Sequence, residues 1–546
     1  MRTAPWLTSR SSRYRFDASK RMESLDDVCV SRANAQQRRG RAGRVMPGAA
    51  FHLISRHAHD EVTNAQQAPE IQRVPLERLV LTIKALGYEG TAASVCAKMI
   101  EPPDAAAVKQ AVAELTALDA LESEGGVETL SPLGKHLSLL PVDVRIGKFI
   151  LLGAIFGCVD ETLTIAATLS HRSPFLSPFD KRDAADAAKR SFASGQSDHL
   201  AVLNAYRAYD NQKGQERFMF ARENFLGIKT MQTIAQLKRQ LLELLSAAGF
   251  VKQGLRARAV EAAGRRAGGS DGVSAVLNDS GRGDLSESDW NCKACGASVF
   301  ASKKSCYRCG MPKDPGERRI DPSDGGAYTF SEFVDEYGGT DEWTAAAPMF
   351  STEDVPAPLV PVNERLLKAL LCAALYPQVV LVETPEPKKG GKSKGGGGGG
   401  GAVKFKIREG TDAKAEPVAV ALHPSSVNAR TTTFESKYLI YAEKVKTTQI
   451  YVRDCAPASP FAIMIFGGAL KAERGGSGGG SSDDAVLVVD AWIRFRLPFR
   501  VATLVLGVRA QLAAVLQKKI ERPTLELSVA GKGILDAVTA LLEQSV

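Results

Sequence analysis

The stretch QQRRGRAGRV, residues 36 to 45, places four arginines and two glycines within ten residues. Guanidinium groups bind phosphates in a planar fork and neutralise the charge that spreads over a phosphoryl group during its transfer. Glycines let the backbone come close to a ligand because they carry no side chain. The stretch therefore predicts either a basic surface for nucleic acid or one part of a nucleotide site whose other residues lie elsewhere.

Length and composition limit the kind of protein in which this stretch lies. The chain has 546 residues, enough for three or more domains, and 44% of them are hydrophobic. Its 70 basic and 61 acidic residues give a net charge of +9, which suits a polyanionic partner without requiring one. No run of 18 apolar residues occurs, so we expect no membrane span.

Four of the nine cysteines fall within one short segment, DWNCKACGASVFASKKSCYRCG. Cys292 and Cys295 form one CxxC pair, and Cys306 and Cys309 form a second. Four thiolates at this spacing can surround one Zn²⁺ ion, and so small a unit folds when it binds the metal. The segment predicts a zinc finger over residues 288–312, and the scattered cysteines are interpreted as small buried hydrophobic residues.

Residues 61–250 have patterns typical of helices. In PLERLVLTIKALG (75–87) and after Asp104 the apolar residues follow helical spacing, and the glycines at 125 and 126 lead into a short strand, VETL. Helices followed by a small hairpin predict a winged-helix unit over residues 61–143. From 144 to 250, the apolar IGKFILLGAIFG and the amphipathic IKTMQTIAQLKRQLLELLSAAG predict a helical bundle.

The rest of the chain alternates between linkers and strands. Residues 251–287 and the acidic residues 313–360 lack a sustained period and are interpreted as linkers. Beyond residue 361 a small barrel or sheet is predicted, with a final helix TLVLGVRAQLAAVLQKKI. The predicted strands are AVALHPSSVN, KYLIYAEKV, TQIYVRDC, FAIMIFGG and AVLVVDAWIRFRL.

A glycine-rich insertion at 390–401 contains GGKS, which could belong to a phosphate-binding loop. The motif GxxxxGK[ST] requires a glycine five positions before Gly391, where the chain has Glu386. No other match to this motif and no DEAH-like acidic box occurs in the sequence. The insertion is therefore interpreted as a flexible loop.

Residues 37–44 match QRxGRxGR, which resembles motif VI of superfamily 2 helicases, and the following VMPGAAFHLIS resembles the DEAH/RHA branch of RNA helicases. The resemblance implies that Gln37, Gly40, Arg41 and Arg44 bind ATP, which the family holds with Mg²⁺. It also implies a catalytic role for Arg41 and Arg44 near the γ-phosphate. A basic RNA-binding loop remains the alternative.

Segments along about four-fifths of the chain resemble the same branch in order, including SRYRFDASKRMESLDDVCVSRANAQQRRGRAGRV, LSPLGKHLSLLPVDVRIGKFILLGAIFGC and LHPSSVN. The resemblance implies a multidomain α+β fold. Its expected parts are the end of a RecA-like α/β domain (1–60), a winged helix (61–143), a helical ratchet bundle (144–250), a small zinc finger (288–312) and an OB-fold β-barrel with a C-terminal helix (361–546).

RNA contacts are expected at two places. The cysteine segment resembles the RanBP2-type zinc finger, many members of which bind single-stranded RNA, and this implies base stacking on Phe300 with cationic support from Lys303, Lys304 and Arg308. Protein binding by the finger is the alternative. By the helicase resemblance, an OB-fold loop near the RNA contains His423, Ser425 and Ser426, and a purely structural turn is the alternative there.

These resemblances imply the C-terminal part of an ATP-dependent RNA helicase, an NTP hydrolase that couples ATP hydrolysis to translocation on RNA and to its unwinding. Its partners would be single-stranded RNA and, through the finger or OB-fold, other proteins. We expect it inside the cell, in the cytoplasm, the nucleus or an organelle. The arginine-rich start suggests a transit peptide, but the resemblance begins near Ser12, so we expect a truncated start and no ATPase activity in isolation. A non-catalytic RNA-binding or scaffold module is the competing hypothesis.

Overall fold

The computed structural model describes residues 6–8, 11–17, 22–28, 30–212, 214–251, 363–384, 403–408, 416–474 and 484–544, together with short pieces between 290 and 348. The chain divides into two compact units. One comprises Met1–Ala257 with Asn363–Val546, and the other comprises Arg258–Val362.

The first unit begins with short strands around the arginine-rich stretch. The elements are β1 (Trp6–Thr8), β2 (Ser11–Asp17), β3 (Met22–Val28), α1 (Arg32–Ala42) and β4 (Ala50–His52). β1 and β4 are parallel, and β2 and β3 form an antiparallel hairpin. Parallel strands must be joined by a crossover connection. The connection from β1 to β4 includes α1, as in an α/β domain.

Helices and a hairpin follow, as predicted for residues 61–143. A π-turn at Ala58–Val62 and a 3₁₀ turn at Glu70–Gln72 precede α2 (Glu77–Ala85), α3 (Ala92–Cys96), α4 (Ala105–Ala117), β5 (Leu121–Glu124), β6 (Val127–Leu130) and α5 (Pro132–Leu139). Asp104 caps α4 by accepting a hydrogen bond from the Ala106 amide at 3.1 Å. Gly125 and Gly126 turn the hairpin with φ values of 58° and 81°. The winged-helix assignment itself stays a prediction.

A helical bundle occupies residues 144–250, as predicted. It contains α6 (Val144–Ile155), α7 (Val159–Leu169), α8 (Arg182–Ser191), α9 (Asp198–Asn211), α10 (Gly214–Glu223) and α11 (Ile228–Ala247). α6 and α7 are so close that a Cβ atom on Gly153 would lie 2.2 Å from Thr162 Oγ1. Met231 and Ile234 of α11 are completely buried in the core that the bundle forms.

Ionisable side chains pair inside this bundle. Arg207 donates to Glu161 at 2.5 Å, and Lys238 donates to Asp160 at 2.8 Å. Desolvation raises the pKa of Glu161 above its ordinary value, although Arg207 opposes that effect. Because an unpaired buried charge is strongly destabilising, these contacts fix the orientation of α7 relative to α9 and α11.

The second unit contains short strands in its described part. β7 (Trp290–Asn291) pairs with β8 (Ser298–Val299), and β9 (Arg318–Ile320) pairs on its two sides with β10 (Ala327–Thr329) and β11 (Ala347–Pro348). The segment 313–360, interpreted above as a linker, therefore includes strands, which were too short to show a period of two. The predicted zinc ligands and finger contacts lie outside the described residues. These are Cys292, Cys295, Cys306, Cys309, Phe300, Lys303, Lys304 and Arg308.

Residues 363–457 form a closed β-barrel behind one buried helix. The elements are α12 (Glu364–Leu375), β12 (Val379–Glu383), β13 (Lys404–Ile407), β14 (Val418–Leu422), β15 (Tyr438–Lys446) and β16 (Ile450–Pro457). Among the described residues the strands close in the order β12-β13-β14-β16-β15-β12, with β14 and β16 parallel and the other pairs antiparallel. β3 adds to β15 at Val445 and Lys446, so the N-terminal hairpin extends the barrel wall.

The C-terminal part differs from the prediction in several places. It contains α13 (Pro460–Phe466), β17 (Leu470–Arg474), β18 (Asp484–Val489), β19 (Ile493–Pro498), α14 (Phe499–Glu521) and α15 (Val529–Gln544). The predicted strand FAIMIFGG was wrong, because Pro460 and the capping hydroxyl of Ser459, which accepts from the Ala462 amide at 3.1 Å, start a helix there. The run AVLVVDAWIRFRL was predicted as one strand but forms two, β18 and β19, because the chain turns at Asp490 and Ala491, which have φ values of 47° and 62°. The strand β17 and the helix α15 were not predicted.

By length and composition, α14 is apolar enough to cross a bilayer, and within the described residues it alone meets that criterion. Its buried Ala502 and Val505 pack against Leu487 of β18 in one hydrophobic cluster. These contacts account for the buried side of α14, whereas Leu504 of the same helix is 60% exposed.

Candidate nucleotide and RNA interface

The helix α1 carries most of the arginine-rich stretch and is held at its N-terminal end. The Ser31 hydroxyl accepts from the Asn34 amide at 3.3 Å. The amides of Arg32 and Ala33 donate to the carbonyl oxygens of residues 64 and 65 at 2.9 and 3.1 Å. These contacts satisfy amides that a helix start leaves without partners, so the position of α1 is well defined.

The predicted nucleotide ligands lie on the open side of this helix. Gln37, Gly40, Arg41 and Arg44 are all exposed. Gln37 and Arg41 are four residues apart and so share one face, and Arg44 follows just beyond the helix end. Within the described ranges, the side chains of Gln37, Arg41 and Arg44 form no hydrogen bond or ion pair. They are available to an external anion.

The glycines of the stretch differ in what the fold requires. A Cβ atom on Gly48 would lie 2.2 Å from the Ala42 carbonyl oxygen, so Gly48 is needed for the turn after α1. At Gly40 and Gly43, by contrast, no atom lies within 4 Å of the Cβ position. Their backbone is therefore accessible from outside, as expected of glycines that let a ligand approach.

A second cluster joins the helical bundle to the HPSSVN loop (423–428) of the barrel. The carboxylate of Asp198, in the first turn of α9, accepts four hydrogen bonds. The donors are the Lys189 ammonium at 2.9 Å, the Val427 amide at 2.9 Å, the Ser426 hydroxyl at 2.6 Å and the Cys455 amide at 3.0 Å. Asp198 is 1% exposed and so lies inside the junction.

The three predicted RNA contacts of the barrel, His423, Ser425 and Ser426, lie together in this loop. Their side chains make different contacts. Ser426 is 8% exposed and donates to Asp198, so its hydroxyl holds the loop to the bundle. Arg453 donates to His423 Nε2 at 3.0 Å, and the Ser425 hydroxyl is 2.7 Å from His423 Nδ1. Ser425 is exposed. Of the three side chains, Ser425 is therefore the most accessible to a ligand.

Neighbouring charges set the protonation of His423. Burial, reinforced by the positive charges of Arg453 and Lys189, lowers the pKa of His423 to about 4. The imidazole is therefore neutral near pH 7 and supplies no positive charge to a phosphate. Its hydrogen bonds instead shape the loop that carries Ser425.

Further polar contacts of the junction were not found by sequence reasoning. The Lys189 ammonium also donates to the Ser425 carbonyl oxygen at 2.6 Å, and the Asn428 amide donates to the Gln196 carbonyl oxygen at 2.6 Å. A pocket of about 290 Å³ lies beside these contacts, and its lining includes Arg190 and Arg430. The partners are more than 200 residues apart in sequence, so no local spacing indicates that they meet.

Titratable groups at the junction have shifted pKa values. Desolvation raises the pKa of Asp198, but the charge of Lys189 and the bonds from Ser426 and Val427 outweigh it and hold this pKa below its ordinary value. Desolvation lowers the pKa of the buried His199 to about 4. Burial, together with the charges of Asp198 and Glu443, raises the pKa of Asp454 to about 7.

No cluster of three or more metal-binding side chains occurs in the described part of the chain. The four predicted zinc ligands belong to a segment outside those ranges.

Comparison with protein families matches three parts of the chain. Residues 143–202 match the family described as helicase associated domain (HA2), ratchet-like, and residues 367–470 match the oligonucleotide/oligosaccharide-binding (OB)-fold family. Residues 485–544 match the family described as C-terminal domain in RNA helicases. The first two matches fall on the helical bundle and the closed barrel.

Individual relatives match over nearly the whole chain. DHX57 of Mus musculus is 38% identical over 95% of this chain, and DExH-box ATP-dependent RNA helicase DExH1 of Arabidopsis thaliana is 33% identical over 96%. ATP-dependent DNA/RNA helicase DHX36 of Homo sapiens is 32% identical over 93%. The matches span 31%, 40% and 38% of these relatives, so the chain corresponds to between three and four tenths of their length. The chain is thus homologous to DExH-box RNA helicases and carries the ratchet-like HA2, OB-fold and C-terminal domains of their C-terminal portion.

Proposed function

We propose that this chain is the C-terminal part of an enzyme that couples ATP hydrolysis to translocation on RNA and to RNA unwinding. The exposed face of α1 carries this proposal, since Gln37 and Arg41 point outward beside two glycines with open backbone. Bound ATP with Mg²⁺ would supply the phosphoryl chemistry. Arg41 and Arg44 would neutralise charge on the transferred group, and Gln37 with the Gly40 backbone would orient the nucleotide.

The chain by itself provides only some of the groups that this chemistry needs. No GxxxxGK[ST] loop and no DEAH-like box occur in its sequence. Without a loop that cradles the phosphates, exposed arginines cannot position ATP for hydrolysis. The polypeptide alone is therefore expected to be inactive as an ATPase and active in RNA binding.

RNA binding by this part is assigned to the barrel loop and the finger. Ser425 lies exposed beside the pocket that Arg190 and Arg430 line, which gives the loop a hydroxyl and nearby cations. In the finger, Phe300 would stack on a base, and Lys303, Lys304 and Arg308 would contact phosphates. His423 and Ser426 would position the loop.

Zinc binding by Cys292, Cys295, Cys306 and Cys309 has one structural argument in its favour. Trp290 pairs with Val299 and Asn291 pairs with Ser298, so the two ends of the segment with the first CxxC pair are adjacent. Only two residues separate Cys292 from Cys295 between these ends, a spacing typical of two thiolates that bind the same zinc ion. A RanBP2-type finger at 288–312 fits this pairing.

The proposed domain limits are those of the sequence analysis, with a RecA-like remnant at 1–60, a winged helix at 61–143 and linkers at 251–287 and 313–360. An intracellular location, in the cytoplasm, the nucleus or an organelle, is proposed because Cys96, Cys158, Cys372 and Cys455 are free and buried. Localisation of a fluorescently tagged chain would test this.

The test of the enzymatic proposal is the transcript that encodes the chain. An in-frame phosphate loop and acidic box upstream of the Met1 codon would support it, and Arg41→Lys in the longer protein should then lower kcat with RNA affinity unchanged. A stop codon directly upstream of Met1 in every transcript would leave a non-catalytic RNA-binding module.

The test of the finger is metal content by mass spectrometry together with RNA affinity. We expect one zinc ion per chain, lost in Cys306→Ser, and weaker single-strand binding after Phe300→Ala. Full zinc content with unchanged RNA binding in Phe300→Ala would assign the finger to a protein partner.

A further inference from the structure

The strand β19 carries a row of arginines that the functions above do not use. Arg494 and Arg496 alternate with the inward-facing Ile493 and Phe495, and both arginines are exposed. β19 pairs with β18 on one side and is the edge of its sheet within the described residues. Alternate residues of a strand point to the same face about 7 Å apart, so the two guanidinium groups project side by side.

The surroundings of these arginines compensate their charge only in part. Within the described residues, Arg494, Arg496 and the exposed Arg500 in the first turn of α14 form no hydrogen bond or ion pair. No acidic residue occurs between Ala491 and Glu521. Across the sheet, Lys471 lies opposite Val488, the partner of Arg494, and Glu473 lies opposite Val486, the partner of Arg496. Asp484 lies opposite Pro498 and so shares this face, on which three cations, Arg494, Arg496 and Lys471, face two acids, Glu473 and Asp484.

The shape of the surface suits an extended polyanion better than a compact ligand. Arg494 and Arg496 lie side by side on one extended strand, and Arg500 follows in the first turn of α14. Phe499, which is 41% exposed, lies between Arg496 and Arg500 in sequence and adds an aromatic surface at the end of the row. Rows of cations beside an exposed aromatic ring are typical of surfaces that follow a single nucleic-acid strand.

We propose that the β19 surface, which comprises Arg494 and Arg496 of β19 and Arg500 of α14, binds the phosphate backbone of single-stranded RNA without reading its bases. The proposal rests on the proposed RNA-binding function and assigns it a surface outside the barrel loop and the finger. Guanidinium contacts to phosphates position a strand and carry no base information directly. The surface is therefore expected to add affinity equally for all sequences.

The test compares two double variants of the full chain by fluorescence anisotropy, using labelled oligouridine and oligoadenine of about 20 nucleotides. The first is Arg494→Gln with Arg496→Gln. The matched control, Lys518→Gln with Arg522→Gln, removes the same charge from exposed positions about 30 Å away at the other end of α14. Thermal melting checks that both variants fold as the wild type does.

Each phosphate contact to a single strand contributes about 0.7 to the slope of log affinity against log salt concentration. Loss of two contacts should reduce the slope by about 1.4 and weaken binding about 25-fold at 0.1 M salt, equally for both oligonucleotides. Arg494→Lys with Arg496→Lys should keep the slope, because the charges remain.

The outcomes separate this proposal from the function on which it rests. If the wild-type chain binds neither oligonucleotide, the RNA-binding function itself fails. If the wild type binds RNA and both Gln variants have the same slope as it, the β19 surface is not an RNA contact. Loss of binding to phosphatidylserine vesicles in the first variant, with RNA affinity unchanged, would assign the arginines to a membrane surface and overturn the proposal.

Discussion

Asp198→Asn should open the junction between the helical bundle and the barrel. The carboxylate of Asp198 accepts from Lys189 and Val427 through one oxygen and from Ser426 and Cys455 through the other. Asparagine keeps the shape of the side chain, removes its charge and replaces one acceptor oxygen with a donor. The change therefore tests the hydrogen-bonding arrangement and leaves packing almost unaltered.

The free energy that Asp198→Asn should cost follows from these contacts. In the best orientation, the carboxamide oxygen still accepts from Lys189 and Val427, and the amide group donates to the Ser426 hydroxyl, which can rotate. The Cys455 amide then faces another donor, and an unsatisfied buried amide costs about 1–3 kcal/mol. Lys189 also loses its charged partner, so the total should approach the 3–5 kcal/mol typical of a broken buried ion pair.

Hydrogen exchange read by mass spectrometry would measure this opening locally. Peptides covering 423–428 and 452–456 should exchange faster by about two to three orders of magnitude, because each 1.4 kcal/mol is a factor of ten in the opening equilibrium. Asp183→Asn is the matched control. It makes the same chemical change in an ion pair to Arg430 at 3.3 Å whose side chains are 92% and 69% exposed, and exposed pairs contribute little. Unchanged exchange in Asp198→Asn, or an equal effect in the control, would show that the Asp198 carboxylate does not hold the junction closed.

Two further substitutions test the electrostatics and the packing. The pKa of Asp454 is about 7 in the folded state and has its ordinary value of 3.8 in the unfolded state. Between these two pH values the folded state binds one proton more than the unfolded state. Asp454 therefore lowers the free energy of unfolding as the pH rises from 3.8 to 7. Asp454→Asn should therefore stabilise the protein by about 2–3 kcal/mol more at roughly pH 8 than at pH 5 in urea unfolding, and a pH-independent difference would contradict this. Gly153→Ala should destabilise by about 1–3 kcal/mol because its Cβ would meet Thr162, whereas Gly507→Ala, on α14 with nothing within 4 Å, should be neutral or stabilising. Equal effects of the two alanines in thermal unfolding would exclude the close α6–α7 contact as the cause.

Local patterns in the sequence were sufficient for much of the fold. Helical spacing and the capping residue Asp104 predicted the helices before the bundle, and α11 lies where its amphipathic pattern indicated. The glycine pair at 125 and 126 predicted the hairpin turn. In each case the deciding interaction joins residues close in sequence.

The predictions failed where an apolar run was short or where the contacting residues are distant in sequence. FAIMIFGG is apolar on all sides, so its composition does not distinguish a strand from a buried helix, and the Ser459 cap decides the outcome. Asp198 looks like an ordinary acidic residue in a first helical turn, and its contacts to Ser426 and Cys455 depend on tertiary structure. The sequence pattern predicted Ser426 to lie near RNA and gave no sign that its hydroxyl donates to Asp198.

The proposed role of this chain is to supply the RNA-binding part and one arginine-bearing face of an ATP-dependent helicase, without a phosphate-binding GxxxxGK[ST] loop of its own. Its most direct test is one titration of the full chain with single-stranded RNA in the presence of ATP and Mg²⁺, in which anisotropy and phosphate release are both recorded. This role predicts saturable RNA binding that weakens with salt and no phosphate release above the protein-free rate. RNA-stimulated phosphate release by this polypeptide, or no binding at low salt, would contradict it.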